Sequence, residues 1–315
     1  MSVPVLSSSE WISRLMNLPR PGAASVTAFY EHRMGAICKD PRLLLVPLDD
    51  HMVHRGDAVF ESLSLSEGSI IQIDAHLERM KHSASVLCLI PPCSWEEIRS
   101  LMIAVARAGA EPCGGLKVLL GRGCGGLGVD PAECGESSLY IVASKRKNLP
   151  ESFWQKGLTA ARSSIPAKQA WLAQIKSTNY LANALMAQEA RNKSVDLTFS
   201  FDDRGFLAEA AIANVALVDE QGRMLMPEFR HALPGTTAIL AAEAAASFMP
   251  VIRTDIDEKA VDNASEILVL GTTCECVAVT HYNGMPIGNG RPGPVAGRLR
   301  AVLHDKLKIG AVSFL

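Results

Sequence analysis

Lys176 sits where a polar turn meets a helical pattern, in "QIKSTNYLANALMAQEA" (residues 174–190), and its type and place suggest chemistry. The positive end of a helix dipole disfavours an ammonium, so an amine there releases its proton more easily and becomes a better nucleophile. Standing alone, it would be read as a surface lysine at a helix start. Glu209 is a second candidate, an acid inside the apolar "GFLAEAAIANV". A carboxylate in such a stretch must be paired or neutralised, since an unpaired buried charge is costly. Two glycine-threonine runs follow, "PGTTAIL" and "LGTTCE". In the first, Gly235 permits a close approach, and Thr236 and Thr237 open a helix whose free N–H groups and hydroxyls suit a phosphate. In the second, Gly271, Thr272 and Thr273 follow a strand and offer further donors, although either run taken singly is only a helix cap or a turn.

The elements that must position these residues can be read from periodicity. The first half is strand-like from about Ser25 to Val46, and "DDHMVHRGDAVFESLSLSEG" feeds a strand ending at the Glu67-Gly68 turn. Helices are expected at "AHLERMKHSASVLCL" and at 94–108, the latter opened by a Ser94/Glu97 capping box. Strands follow at "GLKVLLGR" and "SLYIVAS". The charged, proline-bearing "KRKNLPES" is the best linker and divides the chain into 1–147 and 148–315. Beyond it, "GLTAARS" reads as a strand, Ser177 or Thr178 as the cap of a helix, and "DLTFSF", "ANVALVD" and "MLMP" as a meander. The helix "TTAILAAEAAASF", the strand "EILVL" and a strand pair around "YNG" complete it. The expected class is α/β (α+β), in two lobes with a cleft between them.

Composition narrows the function. The 315 residues are 48% hydrophobic and 20% charged with a formal net charge of −2, which lacks the basic excess that nucleic acid demands. The start has neither the basic nor the apolar region of a signal peptide, no apolar run reaches membrane-spanning length, and a cytoplasmic location is expected. Eight cysteines without a C-x-x-C pair and eight scattered histidines without H-E-x-x-H argue against a disulfide framework and a metal site. His76 and His82, near Arg79, read as surface or packing residues.

Five separated stretches now stand in order: "DDHMVHRGDAVFESL…IDAHLERMKHSASVL", "KSTNYLANALMAQEA", "DDRGFLAEAAIANVALV", "LPGTTAIL" and "LVLGTTCE". Together they resemble the class IV, or fold-type IV, pyridoxal-phosphate aminotransferases, a family that includes branched-chain and D-amino acid aminotransferases and aminodeoxychorismate lyases. The likeness extends from about residue 27 to 305. It implies a small N-terminal α/β lobe, a larger C-terminal lobe with a mixed, barrel-like sheet, and a homodimer. Its cofactor is pyridoxal 5'-phosphate, which needs a lysine for its Schiff base, an acid at its ring nitrogen and donors for its phosphate. The resemblance assigns these parts to Lys176, to Glu209, and to Arg79 with the two glycine-threonine runs. It places Tyr180 where a phenol meets the cofactor ring oxygen, although the gap from the lysine is one residue shorter than in typical branched-chain enzymes. Ala238 departs too, since many relatives carry arginine there.

The glycine-rich "GRGCGGLGVDP" (121–131) does not run into a helix, so a nucleotide-binding reading fails. A loop passing over a flat cofactor explains the glycines better, with Arg122 directed at a substrate carboxylate. The expected reaction is transamination between an amino acid and a 2-oxo acid. The alternatives are a lyase releasing 4-aminobenzoate and pyruvate, and a catalytically silent cofactor-binding protein.

Overall fold

The structure, a computed structural model, describes residues 2–315. Its first sheet contains β1 (Val26–Glu31), β2 (Ala36–Cys38), β3 (Ala58–Ser66), β4 (Ser69–Ile70), β5 (Gly114–Gly121) and β6 (Ser138–Lys145). Alternation along β3 explains how it is covered. Val59, Glu61, Leu63 and Leu65 point to one face and are buried, while Phe60, Ser62 and Ser64 point to the other and are only partly covered. The buried face packs against the helices Ile73–Val86 and Trp95–Gly109, whose Met80, Ile98 and Met102 join its core. The Ser94/Glu97 capping box forms as expected. The strand-like stretch from about Ser25 to Val46 holds two short strands, β1 and β2, and is irregular beyond Cys38. A short turn at His32–Met34 and the left-handed Gly35 stop β1, and β2 is only three residues long.

The second sheet contains β7 (Leu158–Arg162), β8 (Leu197–Phe201), β9 (Leu207–Ala210), β10 (Asn214–Val218), β11 (Met224–Met226), β12 (Val251–Arg253), β13 (Glu266–Gly271), β14 (Glu275–Tyr282) and β15 (Met285–Pro286). Its order runs β12-β11-β10-β13-β14-β7-β8-β9, and β9 pairs back onto β10 at Glu209 and Asn214. Six strands thereby close into a barrel. Val215, Leu217, Ile267, Val269, Val277 and Val279 share one core. Their alternating neighbours, such as Ala216, Leu268 and Ala278, face the helices Thr236–Ala245 and Pro294–Lys308.

Residues 146–150 connect β6 to the second half. The chain's end departs from a simple division at 147/148. The last strand, β16 (Val312–Ser313), pairs with β4, and Phe314 enters the core of the first sheet because its ring is fully buried there. Among the described residues no helix is long and apolar enough to cross a membrane.

Candidate active site

Lys176 is held by both halves of the chain. Its N–H donates to Ser83 Oγ at 3.2 Å, and its carbonyl accepts from Phe60 N at 2.8 Å. Ser177 bridges to Val59, and Thr178 N donates to Ala58 O at 2.9 Å. Asn179 then donates to Gly56 O at 2.9 Å. Gly56 has φ +65°, and a Cβ added there would lie 2.5 Å from Asn179 Oδ1, so the position requires glycine. The Lys176 Nζ donates to the Tyr180 hydroxyl at 3.2 Å and lies 4.6 Å from the Phe60 ring centre.

Burial, and after it the positive charge of Arg79, lowers the Lys176 pKa to about 8. The sequence predicts a lowered proton affinity for another reason, the dipole of a helix capped by Ser177 or Thr178. The helix begins only at Leu181, with Tyr180 at its N-cap and no side-chain cap, so desolvation takes the place of the dipole.

Arg79, Glu61 and His76 form one buried group beside the lysine. Arg79 grips Glu61 with two N–H bonds of 2.7 Å, and His76 Nδ1 lies 2.6 Å from the same carboxylate. Burial would raise the Glu61 pKa, yet its bonds to Arg79 and His76 prevail and hold it at about 2. Burial pushes the His76 pKa down, so the imidazole stays neutral. Its Nδ1–H then donates to Glu61, leaving Nε2 to accept from the Thr236 hydroxyl at 3.4 Å. Arg79 Nη1 also donates to Pro234 O at 3.1 Å, which fixes the guanidinium at the start of the helix Thr236–Ala245.

Glu209 lies at the seam where β9 meets β10. Its Oε2 accepts from Leu233 N at 2.9 Å, and its Oε1 is 3.5 Å from Lys168 Nζ. Burial pushes its pKa up, opposed by Lys168 and by the Leu233 N–H. Asn214 donates to Leu233 O at 2.8 Å and leaves no room at Gly235, where an added Cβ would meet its Oδ1 at 2.0 Å. Thr236 and Thr237 are the first two residues of their helix, and the buried Thr237 Oγ1 has no partner among the described residues. A buried hydroxyl without a partner at a helix N-terminus, beside a guanidinium, is what a phosphate would complete.

Arg79, Lys176, Tyr180, Glu209, Gly235, Thr236, Thr237, Gly271 and Thr272 line one cavity. Thr273 stands just outside it, on the grooves beyond the Gly271 turn. Arg122 requires a correction, because it is not part of this cavity. Its guanidinium pairs with Asp57 at 2.9 Å and donates to Leu87 O and Cys88 O, capping the end of the helix Ile73–Val86. Those four donated bonds commit the guanidinium to Asp57 and the helix end. Glu61, His76 and Lys168 were not foreseen. For Glu61 a signal existed, since it shares the buried face of β3 with Val59 and Leu63, whereas Lys168 lies in an irregular stretch where no pattern marks it.

Residues 58–282 match the family of amino-transferase class IV. The chain is 31% identical over 319 residues to a chloroplastic D-amino-acid transaminase of Arabidopsis thaliana, covering 99% of this chain and 84% of the relative. It is 25% identical over 274 residues to a D-alanine aminotransferase of Bacillus licheniformis, covering 83% and 92%. Its fold resembles a branched-chain amino acid aminotransferase of T.th. crystallised with pyridoxamine 5'-phosphate, with a TM-score of 0.86 and 24% identity over 92% of this chain and 99% of that one. The chain belongs to the class IV aminotransferases.

Proposed function

We propose that this chain moves an amino group between an amino acid and a 2-oxo acid with pyridoxal 5'-phosphate, and that Lys176 holds the cofactor and carries the proton. The observation that carries the reading is the buried Lys176 amine, with its pKa near 8, in one cavity with the Glu209 carboxylate and the Arg79–Thr236–Thr237 donors. The bound cofactor supplies an aldehyde that accepts amino groups and a ring that withdraws electrons from the substrate carbon. Arg79, the first N–H groups of the helix Thr236–Ala245 and the Thr237 hydroxyl would hold its phosphate, with Thr272 closing the far side. Glu209 would pair with the protonated ring nitrogen. That role needs a charged carboxylate, and Lys168 at 3.5 Å helps keep it charged against the effect of burial. Tyr180, whose hydroxyl already meets Lys176 Nζ, would hydrogen-bond the ring oxygen. Lys176, neutral in a substantial fraction near pH 8, can both attach the cofactor and take a proton from the substrate carbon.

The experiment is a screen of L- and D-amino acids against pyruvate and 2-oxoglutarate, beside an assay for 4-aminobenzoate release. Amino transfer supports the reading. Aminobenzoate release without transfer would replace it with the lyase.

A homodimer belongs to the same proposal. The segments 45–53 and 124–129 are joined by Gly125 N to Asp49 O, and both expose apolar side chains, Leu45, Val46, Leu48 and Val53 on the first and Leu127 and Val129 on the second, which a second copy could cover. A monomeric mass in solution would overturn this. A cytoplasmic location is also proposed, supported by eight free thiols, and a tagged protein found in another compartment would refute it.

A further inference from the structure

We propose that the N-terminal helix Ser8–Asn17 is an arm whose apolar face packs on a second copy of this chain, extending the dimer surface beyond the segments 45–53 and 124–129. The proposal rests on the homodimer reading above, and the helix precedes the residues 58–282 that match the family.

The helix is specified by its own sequence. The Ser7 side chain caps it by accepting from Glu10 N, and the Glu10 carboxylate accepts in return from the Ser7 N–H at 2.8 Å. Trp11, Ile12, Leu15 and Met16 follow at helical spacing and form one stripe, with Ser13 and Asn17 on the opposite side. Such a stripe ordinarily faces a core. No residue of this helix is buried, Trp11 being 66% and Ile12 59% exposed, and among the described residues none of the three hydrophobic cores takes in any of them. Ten residues are also too few to hold a helix in water on propensity alone, since isolated helices below about 12–15 residues are marginal. The stripe needs a cover that its own chain does not give.

The tether of the helix points to what that cover is. Arg42 Nη1 donates to Met16 O at 3.2 Å, and Arg20 Nη1 donates to the carbonyls of Pro41 and Leu44 at 3.0 and 2.8 Å. Arg42 is itself held by Asp40 at 2.6 Å. Leu44 leads directly into Leu45, Val46 and Leu48, the exposed side chains of the proposed dimer surface, so the arm is anchored at its edge. Size agrees. The segments 45–53 and 124–129 contribute nine and six residues, short of the roughly 20–30 a side of a stable interface, and the ten of the helix close the gap. A membrane is the poorer cover, because Glu10 and Arg14 are the only charges of the helix and it lacks the basic face with which interfacial helices meet anionic lipid. In a two-fold dimer each copy contributes one arm, and the contact is made twice.

The test uses the full-length, cofactor-loaded protein. Analytical ultracentrifugation gives the dimer dissociation constant of wild type, of the double variant Trp11→Glu/Ile12→Glu, and of Ser13→Glu on the opposite side of the helix. The double variant should weaken the dimer by roughly 10- to 100-fold, because two apolar side chains leave each arm contact, and Ser13→Glu should not weaken it. Equal dissociation constants for wild type and the double variant overturn the arm while the homodimer stands. An equal loss in Ser13→Glu and the double variant overturns the arm as well. A wild type that stays monomeric at every concentration overturns the homodimer and the arm with it. Hydrogen exchange at the amides of residues 8–17 in wild type is a second readout that needs no variant. These amides should be protected above the dissociation constant and exchange freely below it. Protection that does not change with protein concentration, or that is absent throughout, overturns the proposal.

Discussion

Replacing Glu61 by glutamine removes the one carboxylate that both Arg79 and His76 address, and its consequence can be worked from the site. Glu61 is 1% exposed, and its pKa is held at about 2 against an ordinary value of 4.5. A difference of that size corresponds to roughly 3 kcal/mol of stability. It falls at the lower end of the range of about 3–5 kcal/mol for breaking a buried ion pair from one side. The sign follows from the depressed value: the contribution is fully present above pH 4.5 and is lost as pH falls toward 2. Urea unfolding of the cofactor-free protein at pH 7 should therefore show Glu61→Gln less stable by about 3 kcal/mol. The gap to wild type should narrow as pH drops below 4.5. Cofactor affinity should fall as well, because Arg79 loses the partner that orients it. A destabilisation below about 1 kcal/mol, the size of an exposed pair, would refute the claim that this carboxylate anchors the phosphate side of the site.

Three more outcomes follow from the same geometry. Cofactor attachment should accelerate as pH rises toward about 8 and then level off, because only the neutral Lys176 amine attacks; a stopped-flow profile flat from about pH 6 to 10 would remove that argument. Thr237→Val should leave the cofactor-free protein as stable as wild type or more so, since it deletes a buried hydroxyl without a partner, yet weaken phosphate binding; thermal melts with and without pyridoxal 5'-phosphate separate the two effects. Arg122→Ala should cost about 1–3 kcal/mol of stability through Asp57 and the helix end while kcat/KM of the folded fraction holds; a large loss of kcat/KM without destabilisation would return Arg122 to the substrate.

The residues that could be read from sequence were those whose local pattern is also their chemistry. Thr236 and Thr237 open a helix wherever it packs, and Glu209 is conspicuous in an apolar strand. Arg122 was misplaced because a glycine-rich loop says nothing about which side its neighbour's side chain takes, and Asp57 settles that from 65 residues away. The cause of the Lys176 shift was also hidden, since it depends on contacts with β3 and Arg79 that only the assembled halves supply. The same holds for β16, whose pairing with β4 joins the chain's end to its first sheet.

The central claim is that Lys176 holds the cofactor. Protein loaded with pyridoxal 5'-phosphate, reduced with borohydride and mapped by peptide mass spectrometry should carry one phosphopyridoxyl group, on Lys176. A label on Lys168, the other lysine beside Glu209, or no label at all, would contradict it.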